Sequence, residues 1–377
     1  MIYLDNAATT KMYKEAIEAE IDVAENFYAN SSSIHSFGME SENLIKETKK
    51  IFAKVINAKE NEIYFTKGAS ESNNIVISSF ASLENMAITT SIEHSSVFDA
   101  FNNYKYKKVI YLKNDKYGFI DLEDLKNKLN DNIKLVSIIY VNNEIGTIQD
   151  IEKISKIIKD YDENICLHID ATQALGKIDC NVAKLSCDIM SFSAHKFHGP
   201  KGVGGLYISN KFIAKIKPII YGGRQQVISS GTDNHQAIYA AGVAIKKQTV
   251  DKEYAYIQKL NSYLREKINS HISDSYIISP ENDSSPYILD VAFKNIKAEV
   301  LVHYLEDSEI YVSSGSACSK GEDNRILRAI DLDKAYIDGA IRFSFSSYIS
   351  FEDLDKTADV LKSGIEMIRE FMWWSTY

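Results

Sequence analysis

At 377 residues, with 45% hydrophobic and 25% charged residues, the chain is long enough for two domains and a large buried core. Its net charge of −9 argues against binding nucleic acid through the phosphates, which takes clustered Lys and Arg. No apolar run reaches membrane-span length, and Met1-Ile2-Tyr3-Leu4-Asp5-Asn6 lacks a basic region and apolar core, so a cytoplasmic protein is expected.

Strand-like and helix-like segments alternate, which predicts an α/β architecture with a mainly parallel central sheet. Residues 1–14 read as an N-terminal arm packing with one of the domains. Residues 15–250 read as a large domain. Glu62-Ile63-Tyr64-Phe65-Thr66 is a strand, and Gly68-Ala69-Ser70-Glu71-Ser72 opens a helix. Strands follow at 86–90 and 135–141. A helix over 151–160 leads to the strand that ends in Asp170. The next strand is Asp188-Ile189-Met190-Ser191-Phe192, and 205–208 runs back against it. From 251 to 377 the texture changes to a smaller α+β domain. Its elements are a charged helix over 252–270, strands at 288–293, 310–313 and 341–345, and a helix over 298–305. Ser350 and Asp353 form a capping box for the last helix. The apolar Phe371-Met372-Trp373-Trp374 is expected to pack onto its own domain.

Chemistry collects at the strand ends, where ligands of open parallel sheets bind. Lys196 follows Ser191-Phe192-Ser193-Ala194-His195 and precedes a glycine-rich segment. A lysine there can form a Schiff base with a carbonyl cofactor, and Asp170 on a neighbouring strand can pair with a protonated pyridine nitrogen. Gly68-Ala69-Ser70 suits an anion, through free N–H groups and the helix dipole. His94, after its strand, can stack on a flat ring and exchange protons. Asn143 and Gln173 offer amides, and Ser193 and His195 offer donors to a phosphate. Each residue alone has an ordinary explanation as a cap, a packed histidine or a surface charge. Together they indicate pyridoxal 5′-phosphate (PLP).

Two further residues stand out. The four cysteines form no C-x-x-C pair, so a metal centre is not expected. Cys166 and Cys187 lie among apolar residues and read as core fillers. Cys318 differs, lying in Ser314-Gly315-Ser316-Ala317-Cys318-Ser319-Lys320-Gly321, which suits a mobile nucleophilic thiolate. Arg342, on an otherwise apolar strand, needs an anionic partner, either a structural carboxylate or that of a substrate.

Together these residues resemble the cysteine desulfurases of the NifS/IscS type, within the PLP-dependent class V aminotransferases. The likeness runs from Tyr3-Leu4-Asp5-Asn6-Ala7-Ala8-Thr9-Thr10 to Ile341-Arg342-Phe343-Ser344. The resemblance implies PLP-dependent transferase fold type I and a sulfurtransferase that converts L-cysteine to L-alanine. The sulfur passes to Cys318 as a persulfide and then to acceptor proteins, such as an iron–sulfur scaffold or a tRNA-thiolation enzyme. It implies Lys196 as the Schiff-base residue and Asp170 as the partner of the pyridine nitrogen. Gln173 and Asn143 then lie near the ring hydroxyl, with Ala69, Ser70, Ser193 and His195 on the phosphate. His94 stacks on the ring, and Arg342 with Asn143 holds the substrate carboxylate. Thr232 reaches the phosphate from the other subunit of a homodimer. No resident metal is implied, although Cys318 could ligate an iron–sulfur cluster transiently during transfer. A selenocysteine lyase or another enzyme of the same fold is the alternative. Departures are visible: Asn30-Ser31-Ser32-Ser33-Ile34-His35 replaces the usual Asn-Pro-Ser-Ser before the histidine, Ser70 replaces a threonine, the stretch after Cys318 is shorter, and Ser229 stands where the family usually has arginine before Ser-Gly-Thr, with Arg224 nearby as a substitute cation.

Overall fold

The computed structural model describes residues 1–223, 227–248, 250–314 and 324–374. The main sheet has seven strands. In chain order they are β2 (Ile63–Thr66), β3 (Met86–Thr90), β4 (Lys108–Leu112), β5 (Ile133–Ile139), β6 (Cys166–Asp170), β7 (Ile189–Ser193) and β8 (Gly204–Ile208). The two-residue β1, Ile2–Tyr3, lies outside it. The spatial order is β2-β8-β7-β6-β5-β3-β4, and β8 alone runs against its neighbours. Residues of β6, β7 and β8 are all buried, as expected where helices cover both faces of a sheet. This is why the strands read as continuous apolar runs rather than as alternating ones. His168 is accommodated inside β6 because Ser137 and Ser191 hydroxyls, 2.8 and 2.6 Å away, satisfy both ring nitrogens.

A second, three-stranded antiparallel sheet comprises β9 (Ser275–Ile277), β10 (Ile288–Phe293) and β12 (Ala340–Ser344) in the order β12-β10-β9. Helices Val250–His271, Ala298–Glu306 and Phe351–Trp374 surround it and bury a separate apolar core around Leu289, Val291, Phe293, Ile341 and Phe343. The capping box exists: Ser350 N–H donates to Asp353 Oδ2, and Asp353 N–H donates to Ser350 Oγ. Phe371 does not pack onto this core and is 69% exposed.

The N-terminal segment engages both cores rather than one. β1 pairs in parallel with β11 (Ile310–Tyr311), and Leu4 is buried in the core of the smaller sheet. The chain then crosses to the large sheet, where Thr10 N–H donates to the carbonyl of His195 at 2.9 Å. Several strand ends differ from the sequence reading by one or two residues. β5 stops at Ile139, whose pairing with Asp170 is the last of the β5–β6 ladder and is closed by Tyr140 N–H on the Asp170 carbonyl. Ser313 lies beyond β11 but makes an isolated bridge to Arg342. Helices Lys14–Asn26, Ser36–Ile56 and His235–Lys247 pack on one another against the large sheet. Three cysteines, Cys166, Cys180 and Cys187, are buried free thiols.

Candidate active site

The carboxyl ends of the parallel strands open onto a cavity of about 840 Å³. One end is built for an anion. Helix Ala69–Phe80 starts there, and its N-cap Gly68 supplies no side-chain cap. Its first-turn N–H groups and dipole therefore face the cavity. Gly68 takes φ +154°, and a Cβ at the adjacent Gly204 would sit 2.7 Å from the Gly68 Cα. Both positions need glycine for the turn to lie this close to β8. Ala69, Ser70, Ser193 and His195 line this end, together with Lys67 and Lys201. Burial and the neighbouring lysines hold His195 near pKa 4, so its ring is neutral.

The floor is an ordered chain of hydrogen bonds. Asp170, at the end of β6, is 3% exposed and accepts from Thr172 N–H at 3.0 Å and from Asn73 Nδ2 at 2.9 Å. Asn73 Nδ2 also donates to Ser96 Oγ at 2.9 Å, and that hydroxyl lies 2.8 Å from His94 Nδ1. Ser96 N–H donates to the same nitrogen as His94 caps helix Ser95–Asn103. Nδ1 is thus an acceptor, and the proton of the neutral ring sits on Nε2. Enclosure by protein lowers the His94 pKa, although one ring face is open to the cavity. Beneath the turn, burial raises the Glu93 carboxyl to about 8, and it accepts from Thr90 Oγ1 and Ile139 N–H. The Arg325 guanidinium donates to the carbonyls of Ser91 and Glu93 and lies 4.1 Å from the Phe98 ring centre.

Lys196 ends the short 3₁₀ turn after β7. Its Nζ donates to the carbonyls of Ala7 and Ala8 at 2.6 and 2.7 Å. Burial and the positive charge of Arg342 lower its pKa to about 8, against the pull of Asp5 and Asp170. A far larger share of such amines is neutral near neutral pH than at the ordinary lysine value. Gln173 Nε2 also donates to Ala7 O, at 2.8 Å. The N-terminal segment thus supplies carbonyls to two residues of the cavity.

Arg342, on β12, enters from the smaller sheet. Its guanidinium donates to the Asn143 carbonyl at 2.8 Å and to Asp5 Oδ1 at 3.0 Å, while its buried Nε has no partner among the described residues. The structural carboxylate that the sequence left open is thus present in Asp5. Asn142 is consumed in its own turn, accepting from Glu144 and Ile145 N–H, and Asn143 lines the cavity with its Oδ1 unpartnered.

Of the residues singled out from sequence, ten line this cavity: Ala69, Ser70, His94, Asn143, Asp170, Gln173, Ser193, His195, Lys196 and Arg342. Thr232 does not. It lines a smaller cavity of about 240 Å³ that shares Lys67, Glu71 and Gly202 with the first. Ser229 donates to Glu71 Oε1 at 3.0 Å. Cys318 and Arg224 lie outside the described residues. Sequence reasoning missed Asp5, Asn73, Ser96 and Arg325. Asn73 carried a faint signal, being polar in the first turns of the helix behind the anion-binding turn.

The donor set fits PLP. An anion cradle, a buried carboxylate and an amine of lowered pKa occupy one cavity, matching the phosphate, ring nitrogen and carbonyl of the cofactor. Thr172, Asn143 and Arg342 each leave a buried polar atom at the cavity wall with no partner among the described residues.

Comparison with known proteins agrees. The aminotransferase class-V family matches residues 2–357. The cysteine desulfurase IscS of Dictyoglomus turgidum is 40% identical over 98% of this chain and 95% of its own length. A solved NifS-like protein superposes with a TM-score of 0.88 at 34% identity, covering 98% of this chain and 99% of that one. SspA, solved in complex with cysteine, gives a TM-score of 0.81 at 29% identity over 93% of this chain and all of its own. The chain therefore belongs to the class V aminotransferase family, and within it to the PLP-dependent cysteine desulfurases of the NifS/IscS type.

Proposed function

We propose that L-cysteine is desulfurated in this cavity and that its sulfur leaves on Cys318. The observation that most supports this reading is the convergence of Lys196, Asp170 and neutral His94 beside an anion cradle, with Arg342 opposite. Bound PLP supplies the electron sink that acidifies the substrate Cα–H and leaves the substrate sulfur open to attack. Asp170 keeps a positive charge on the ring nitrogen, and its two donors, Thr172 and Asn73, fix the carboxylate. Gly68 frees the helix N-terminus for the phosphate, with Ala69, Ser70, Ser193 and His195 around it. Arg342 and Asn143 orient the substrate carboxylate. The Lys196 amine would hold the cofactor, and it is the basic group placed in the cavity to move the substrate Cα proton. His94 packs on the ring and offers Nε2–H to the substrate side.

The Cys318 thiolate then attacks the substrate sulfur. The carbon–sulfur bond breaks, a sulfur–sulfur bond forms, and the carbon takes a proton to give alanine. Ser313 lines the cavity, so a five-residue tether of at most about 17 Å links it to Cys318. That length allows the thiol both to reach the cavity and to leave it. Thr232, in its side cavity, is suited to reaching the phosphate of a partner subunit in a homodimer. The sulfur acceptors are proteins, among them an iron–sulfur scaffold or a tRNA-thiolation enzyme. The charge of −9 disfavours direct contact with RNA.

Purified enzyme given L-cysteine and a reductant should form alanine and sulfide in equal amounts. Cys318→Ala should keep the cofactor absorbance and lose sulfide release, whereas Lys196→Ala should lose that absorbance. Sulfide release at an unchanged rate from Cys318→Ala would remove the thiol from the mechanism.

A further inference from the structure

Lys177 is 5% exposed, with no carboxylate in hydrogen-bond reach among the described residues. Its Nζ donates to Gln173 Oε1 at 2.9 Å and lies 5.6 Å from the Tyr287 ring centre. The charged groups that act on it are Lys196 and Arg342, both of its own sign. Burying an amine without a counter-ion is costly, and an apolar side chain would fill the same space at less cost. Apart from the ring, the single polar partner among the described residues is the amide of Gln173. That amide has two orientations related by a half-turn. Ala7 O can only accept, so it demands Nε2 on its side. Ala7 O is also shared with Lys196 Nζ at 2.6 Å, a partner that leaves when Lys196 engages a carbonyl. Lys177 supplies the opposite constraint, since it holds Oε1 away from the cavity. One N–H of Gln173 then serves Ala7, and the second remains for a ligand acceptor.

We propose that Lys177 is a positioning residue that fixes the Gln173 amide so that its free N–H faces the ring oxygen of the cofactor. The inference rests on the assignment of Gln173 to that oxygen, made above. Lys177 touches neither substrate nor cofactor and acts through Gln173 alone.

The test is a double-mutant cycle on holoenzyme, read from the pH midpoint of the cofactor absorbance change and from thermal unfolding. Gln173→Ala should move the midpoint by about half a pH unit, a roughly threefold change in proton affinity. Lys177→Met should move it in the same direction and by a similar amount, lower kcat more than it raises KM, and leave the unfolding temperature no lower. The pair together should match Gln173→Ala alone. A Lys177→Met midpoint equal to wild type while Gln173→Ala shifts it, or full additivity in the double variant, overturns the role of Lys177. An unshifted Gln173→Ala midpoint instead overturns the assignment of Gln173, and the inference with it.

Discussion

Lys196 carries a stability cost that can be measured in the cofactor-free protein. Burial and Arg342 bring its pKa from 10.5 to about 8, which corresponds to about 3 kcal/mol at ~1.36 kcal/mol per pH unit. Its two bonds to the Ala7 and Ala8 carbonyls return about 1 kcal/mol each. Lys196→Met, close in volume, should therefore make the apoprotein more stable by about 1–2 kcal/mol at pH 7. The pH dependence gives the sharper check. Between pH 8 and 10.5 the unfolded chain still binds a proton that the folded lysine has released. Wild-type stability therefore rises with pH across that window, and the variant lacks this contribution. The advantage of the variant should vanish and reverse by about pH 10.5, where only the lost hydrogen bonds count. Urea unfolding of both apoproteins at pH 7, 8.5 and 10.5 measures it. A difference that stays constant with pH would refute the argument.

Asn73→Ala removes one of the two donors to buried Asp170 and cuts its link to Ser96 and His94. A hydrogen bond to a charged group is worth about 1.5–3 kcal/mol, so PLP affinity should fall by about tenfold or more in equilibrium dialysis. Gly68→Ala forces a side chain into φ +154° at the anion-binding turn; at about 1–3 kcal/mol of strain, inorganic phosphate and PLP should both bind more weakly. Arg342→Ala should raise KM for L-cysteine by about tenfold or more and leave cofactor absorbance intact, as steady-state kinetics and spectra will show. Phe52 is fully buried and stacks 4.9 Å from Phe192; Phe52→Ala should cost about 3–5 kcal/mol in denaturant unfolding without touching the cavity.

The large sheet and its strand ends were legible because buried parallel strands leave unbroken apolar runs, and polar residues that close such runs stand out. Lys196, Asp170 and His94 were found in this way, and Arg342 as a charge inside an apolar strand of the smaller sheet. Helices 14–26 and 36–56 were not, because their apolar positions are sparse among charges and their packing is mutual. Asp5, Asn73 and Ser96 escaped for a different reason. Asn73 joins Asp170 to Ser96 across three elements, and Ala7 and Ala8 serve Lys196 through main-chain carbonyls that any residue possesses. Such contacts have no spelling in the sequence and emerge only from tertiary packing.

The crossing of the first ten residues between the two cores has a consequence for the order of events during synthesis. Asp5 bonds Arg342, and Leu4 O accepts from the Ser344 amide, so these residues close onto partners made 337 or more positions later. At about 5–20 residues per second the ribosome separates those partners by roughly 17–70 s. Once β8 has been made and until β12 follows, the seven-stranded sheet can be complete while Ala7 and Ala8 lack the anchoring that holds their carbonyls against Lys196. A nascent chain is accordingly expected to be a poor captor of PLP, and competence should arrive in one step as β12 leaves the exit tunnel.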